Sequence, residues 1–115
     1  FGFGRQDTAV TIAILFIRDG LINGSRTFFL ADPYGEAPSI LSQVLSQFYN
    51  LDTSVPKEIL LPFIPANIRL LQEYLTDKAT QKVIIKVPQR GDNLQLIAMA
   101  NTNALQIFKE KEKIN

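Results

Sequence analysis

From Val10 to Ile17 every residue except Thr11 is apolar. In an extended chain Val10, Ile12, Ile14 and Phe16 share one face, and Ala13, Leu15 and Ile17 share the other. Apolar residues on both faces predict a strand covered on both sides, interior to a layered sheet. Asp19-Gly20 follows as a two-residue turn signal, because both central positions of such a turn need positive φ. The return strand, Leu21 to Leu30, carries Arg26 and Thr27 among apolar neighbours and so belongs nearer a sheet edge. Asn23-Gly24 inside that strand predicts a bulge or twist point. Phe1 to Arg5 is a candidate for a further strand pairing with this hairpin.

The pattern then changes period. "DPYGEAP" reads as a loop, with Pro38 suited to a first helical position. Ile40, Leu41, Val44, Leu45 and Phe48 mark one face of a helix, opposite Ser42, Gln43, Ser46 and Gln47. "NLDTSVP" breaks it. "EILLP", Glu58 to Pro62, reads as a short buried strand, and a second helix from about Asn67 to Lys78 buries Ile68, Leu71 and Leu75. "KVIIKV" is the next strand, ended by Pro88, which cannot donate to a ladder. The last helix starts near Leu94, turns Leu94, Ile97, Ala104, Leu105 and Phe108 inward, and frays into "KEKEKIN", a solvated end or linker. The order is (β)ββαβαβα, an α/β arrangement with a mixed sheet and helices packed on its faces. One superfold with this order is the ribonuclease H-like fold, although element order alone does not give function.

Composition narrows the chemistry. At 115 residues, 46% apolar and 20% charged, the chain is expected to form one globular domain over residues 1–115. Twelve basic and eleven acidic side chains leave a net charge of +1, so nucleic acid would be met through a local patch and not a global field. The absence of Cys removes thiolate chemistry, disulfides and Cys-type zinc sites, and the absence of His removes the imidazole base and its metal sites. Carboxylates remain as the only general acids, bases or metal ligands of consequence. The longest unbroken apolar run, Ile12 to Ile17, is too short to span a bilayer. "FGFGRQDT" carries no basic n-region and no h-region, which leads to the expectation of a non-secreted internal domain of a longer chain.

Several short motifs are weighed on their chemistry. "GFG" at 2–4 falls short of a dinucleotide fingerprint, since Asp7 occupies the third glycine position and a strand follows where a helix is needed. Small residues where strands cross closely explain it. Asn23-Gly24-Ser25 matches a glycosylation acceptor without a secretion signal to make it meaningful. A metal-dependent nuclease on a ribonuclease H-like frame needs converging carboxylates, one of them on the first strand. Here Phe1 to Gln6 holds no acid, Asp7 and Asp19 fall at turns, Glu58 starts a strand, and Glu73 and Asp77 sit on a helix's solvent face. No metal site, cofactor or catalytic residue is therefore expected. "PQRG" is different. Pro88, Gly91 and an N-cap at Asp92 or Asn93 are what a strand-to-helix turn needs, but a turn needs neither Gln89 nor Arg90. Arg90, Gln89 and Gly91, with Lys86 and Lys82 alternating on the preceding strand, are the candidates for contacting a DNA phosphate or a partner's acid. Lysine guarding an exposed strand edge is the competing account.

Four ordered stretches, "FIRDGLINGSRTFF" (16–29), "QFY" (47–49), "PKEILLP" (56–62) and "VPQRGDNLQLIAMANTNA" (87–104), resemble the central part of the UvrC family, the C subunit of the bacterial excinuclease ABC. The resemblance implies a cytoplasmic protein of nucleotide excision repair in the response to DNA damage, including the SOS response. In that family an N-terminal GIY-YIG module makes the first incision, a helical hairpin binds UvrB, and a C-terminal ribonuclease H-like domain makes the second. Helix-hairpin-helix DNA-binding motifs follow that last domain. This chain resembles the segment between the UvrB-binding hairpin and the C-terminal nuclease. The expectation is a non-catalytic structural domain that spaces the two nuclease modules and contacts DNA or a partner. Its partners would be the other domains of the same chain, with UvrB and damaged DNA reached through the parent protein, no membrane, and a monomeric isolated domain. The alternatives are an active Mg²⁺-dependent ribonuclease H-like endonuclease domain and an adaptor that binds protein only.

Overall fold

The computed structural model describes residues 1–50 and 54–114, with side chains given as far as residue 110. The Leu51–Thr53 part of the expected breaker and the side chains of the terminal "KEKIN" lie outside the described residues. The element order is β1 (Gly2–Gln6), β2 (Ala9–Arg18), β3 (Leu21–Leu30), α1 (Ala37–Asn50), β4 (Glu58–Leu60), α2 (Ile68–Ala79), β5 (Ile84–Lys86) and α3 (Asp92–Ile114), the expected (β)ββαβαβα. The strands pair as an antiparallel sheet β1-β2-β3 and a parallel pair β4-β5. The mixed α/β character stands, with the two pairing senses held in separate sheets. Two compact units result. One comprises Phe1–Pro33 and the chain from Pro88 onward; the other is Tyr34–Val87.

In the first unit, Phe1 to Arg5 does continue into a strand antiparallel to β2. Asp19 and Gly20 both take positive φ, 53° and 77°, as the turn between β2 and β3 requires. The register passes from Phe16↔Gly24 to Ile17↔Ile22, so Asn23 has no opposite number and forms the expected bulge. β3 is an edge strand, largely exposed. β2 departs from expectation at its end. Val10 to Ile14 are buried, but Phe16 and Ile17 are exposed, because pairing with β1 stops at Ala13 and the hairpin runs on as two strands.

α3 packs on the sheet through small residues. Gly2, Gly4, Thr11 and Ala13 share one face by register (Gly2↔Ala13, Gly4↔Thr11). A Cβ on Gly2 would lie 2.2 Å from the Ala100 carbonyl carbon, and one on Gly4 would lie 3.1 Å from that of Ala104. "GFG" is thus a close crossing as expected, but of a strand with a helix and not of two strands. The Asn101 side chain adds a bond here, its Oδ1 accepting the Phe3 N–H at 2.8 Å. Phe29 meets Phe108 edge-on, with ring centroids 6.2 Å apart. The face of α3 that points inward is consequently Ile97, Ala100, Ala104 and Phe108. Leu94 and Leu105, expected inside, are 39% and 46% exposed. Close approach selects alanine over leucine at the line of contact, and the leucines fall to its flank.

Thr11, fully buried, has no hydrogen-bond partner for its Oγ1 among the described residues. A buried hydroxyl without a partner is destabilising, and valine fills the same volume. Thr11→Val is expected to raise the unfolding free energy by about 1 kcal/mol, read from the urea midpoint at an unchanged slope.

In the second unit, α1 buries the five expected residues and also Tyr49. Phe48 and Tyr49 meet edge-on at 4.9 Å, and burial pushes the Tyr49 phenol well above its ordinary pKa. α2 buries Leu71 and Leu75, with Ile68 half-buried at its start. The Tyr74 hydroxyl donates to Asn50 Oδ1 at 3.2 Å, tying α2 to the end of α1. Both neighbours of α2, Asn67 and Thr80, are left-handed, with φ of 57° and 55°. β4 is shorter than expected, Glu58–Leu60; Leu61 still donates its N–H to the Lys86 carbonyl at 2.8 Å, and Pro62, which has no N–H, cannot extend the pairing.

Candidate nucleic-acid interface

The loop before α3 is set by its glycine. Gly91 has φ +82° and open space where a Cβ would be, so its conformation and not crowding calls for glycine. Its carbonyl accepts the Gln95 N–H at 3.2 Å, the first bond of the helix. Gly91 is therefore the N-cap, and Asp92, one of the two residues expected to cap, is already the first helical residue. The positive φ of glycine lets the chain enter the helix one residue earlier than an Asp or Asn cap would. Asp92 still places a carboxylate in the first turn, where it complements the positive end of the helix and competes with any external anion.

Gln89 and Arg90 are both exposed immediately before this cap. Arg90 has no ion-pair partner among the described residues. The loop thus presents one cation and one carboxamide on a backbone fixed by Gly91.

The lysines belong to the other unit, and there the structure corrects the sequence reading. Lys86 ends β5 and its Nζ lies 3.4 Å from Glu58 Oε2 across the parallel pair, in an ion pair with both side chains nearly half exposed. It is a surface pair of small energetic weight, but it gives Lys86 a local role as strand-pair partner. Lys82, expected on the same strand face, lies outside β5. The cause is visible at Val83, whose carbonyl accepts from Gln72 Nε2 at 3.1 Å and whose N–H donates to Thr76 Oγ1 at 3.4 Å. Side chains of α2 take both backbone groups, so the ladder cannot begin until Ile84. Lys82 is exposed on that approach. The alternation that would align Lys82 with Lys86 is lost.

Among the described residues the acids are dispersed. Asp7 and Asp19 sit at hairpin turns with φ of 55° and 53°. Glu73 and Asp77 are on the exposed side of α2, and Glu58 faces Lys86. Among the described residues no group of three or more His, Cys, Asp or Glu side chains could hold a metal ion. No helix among the described residues is long and apolar enough to cross a membrane. Sequence reasoning missed Asn101, whose signal was a carboxamide on an otherwise apolar helix face, and its role is to hold β1.

Comparison with known proteins gives a consistent likeness. The chain matches the family model described as the UvrC Ribonuclease H-like domain over residues 1–111. It is 56% identical over 113 residues to the UvrABC system protein C of Desulfotalea psychrophila, an overlap of 98% of this chain and 19% of that protein. The protein of the same description from Citrifermentans bemidjiense is 38% identical over 111 residues, 96% of this chain and 18% of its own. That from Desulfatibacillum aliphaticivorans is 33% identical over 110 residues, again 96% and 18%. The chain spans about a fifth of the length of the curated relatives it matches. No solved structure matches it.

Proposed function

The chain belongs to the UvrC ribonuclease H-like domain family, and from that premise we propose that it is a non-catalytic domain of a UvrC-type subunit. Such a subunit acts with UvrB on damaged DNA in nucleotide excision repair, in the cytoplasm, and the domain spaces and orients its nuclease modules. The observation that carries the reading is the dispersal of acids among the described residues on a ribonuclease H-like order of elements: β1, where a metal-binding carboxylate would stand, has none. Phosphodiester hydrolysis on this frame needs carboxylates converging on a divalent ion. Asp7 and Asp19 hold left-handed turn positions, the kind of place where Asp serves the backbone locally. The test is incubation of the purified domain with supercoiled plasmid in Mg²⁺ and Mn²⁺. No nicking is expected above that of an Asp7→Asn, Asp19→Asn double variant. Metal-dependent nicking abolished in that variant would restore the endonuclease reading.

Within this role, Arg90 and Gln89 form the contact point for DNA backbone or for an acid of a neighbouring domain. Lys86 and Lys82 belong to the other unit and are separate candidates for a contact of the same kind. With one unpaired cation at the loop, binding is weak and independent of sequence. Arg90→Ala is expected to leave thermal stability unchanged and to make the salt dependence of duplex binding shallower by about one unit. Gly91→Val is expected to cost about 1–3 kcal/mol through a positive φ that a branched residue resists. Thermal melts and titrations with labelled duplex at two salt concentrations separate the two. If the domain binds no DNA at low salt, Arg90 is left to the partner contact.

A further inference from the structure

The tip of the β2–β3 hairpin carries four large apolar side chains in water: Phe16, Ile17, Leu21 and Ile22 are 38%, 41%, 73% and 45% exposed. They are not scattered. Ile17 pairs with Ile22 and Arg18 with Leu21, so the last pairs before the turn place apolar groups on both faces of one ribbon. Beyond Ala13 that ribbon is unaccompanied by β1, and its turn is rigidly specified by Asp19 and Gly20. Contiguous exposed apolar groups on a fixed element mark an interaction surface.

We propose that this ribbon tip docks the domain onto another part of the same, longer polypeptide through an apolar intramolecular interface. This rests on the reading of the chain as one domain of a UvrC-type subunit, whose relatives are about five times its length. The chemistry of the tip favours that occupant over two others. Its charges, Arg18 and Asp19, cancel, so it lacks the net cation density that phosphate binding requires. The neighbouring edge of β3 is interrupted by the bulge at Asn23 and carries Arg26, features that oppose edge-to-edge pairing of two copies. A neutral, apolar, two-sided tip suits a permanent contact in which both faces are clasped.

The domain contains no Cys, so Leu21→Cys introduces its single thiol. The test measures maleimide labelling of that thiol, located by peptide mass spectrometry, in the 115-residue domain and in the full-length subunit. Ile22→Cys serves as a second probe, and Gln106→Cys, on an exposed position of α3, as the control. Labelling at positions 21 and 22 is expected to be rapid in the domain and slower by about tenfold or more in the subunit, with position 106 unchanged. Equal rates in both proteins overturn the proposal. Protection that appears in the domain as its concentration rises overturns it in favour of a second copy, and protection only on adding duplex overturns it in favour of DNA. Any of these leaves the non-catalytic reading standing, because plasmid nicking judges that separately.

Discussion

Phe48→Ala lowers the unfolding free energy by about 3–5 kcal/mol, whereas Gln43→Ala on the same helix changes it by less than about 0.5 kcal/mol. Phe48 is 4% exposed on the buried stripe of α1 and meets the Tyr49 ring at 71°. Removing the ring takes away its transfer free energy and leaves a cavity that a rigid, edge-stacked neighbour closes only in part. Gln43 is exposed on the polar side of α1, lining a shallow groove with Ser39, Ser46 and Asn67. Replacing it with alanine removes no buried contact and slightly favours the helix. Urea midpoints at a common slope measure the contrast. Similar midpoints for the two variants would show that the helix is turned the other way.

The second large effect is at the strand–helix crossing. Gly2→Ala is expected to cost about 3 kcal/mol, at the upper end of ordinary overpacking. Its added carbon would fall 2.2 Å from one backbone atom of Ala100 and 2.5 Å from the nitrogen of Asn101. Neither can rotate away, so β1 and α3 must separate, and the Phe3–Asn101 hydrogen bond stretches with them. At Gly4 the nearest atoms stand at 3.1 Å, a distance that a shift of a few tenths of an ångström relieves. Gly4→Ala is therefore expected to cost less than half as much. Thermal melts of both variants give the ranking, and a Gly2→Ala protein as stable as the parent would show that the helix rides higher on the sheet than described.

These two sites also show where sequence was informative. The helical stripe from Ile40 to Phe48 is legible because large apolar residues recur at the helical period against serine and glutamine. Asp19-Gly20 is legible because two consecutive positive φ values admit few residue pairs, and the bulge at Asn23-Gly24 follows once that turn is chosen. On α3 the sequence places Ile97, Ala104 and Phe108 inward correctly, but it adds Leu94 and Leu105 and misses Ala100, because hydropathy ranks leucine above alanine. What decides that face is the separation of two backbones, a tertiary quantity that "GFG" only hints at. Lys82 was misplaced for a similar reason, since Gln72 and Thr76 claim the backbone of Val83 from a helix eleven and seven residues away. In the candidate interface the turn was readable from Pro88 and Gly91. The Glu58–Lys86 pair was not, because it depends on a parallel register that no local pattern encodes.

The bond between Phe3 and Asn101 joins residues 98 positions apart, with the whole of Tyr34–Val87 interposed between the two halves of its unit. That spacing governs the order of biosynthesis. As the chain leaves the ribosome, Tyr34–Val87 is complete and able to collapse on its own contacts while the three-stranded sheet ahead of it still lacks α3. The face bearing Gly2, Gly4 and Thr11 waits uncovered through the synthesis of more than fifty residues. Contacts of such long sequence separation form late, because closing the loop precedes any gain from packing. An interruption after Val87 would thus release a folded insert attached to an open, aggregation-prone sheet. For this domain the last helix is the step that commits the polypeptide to its native state.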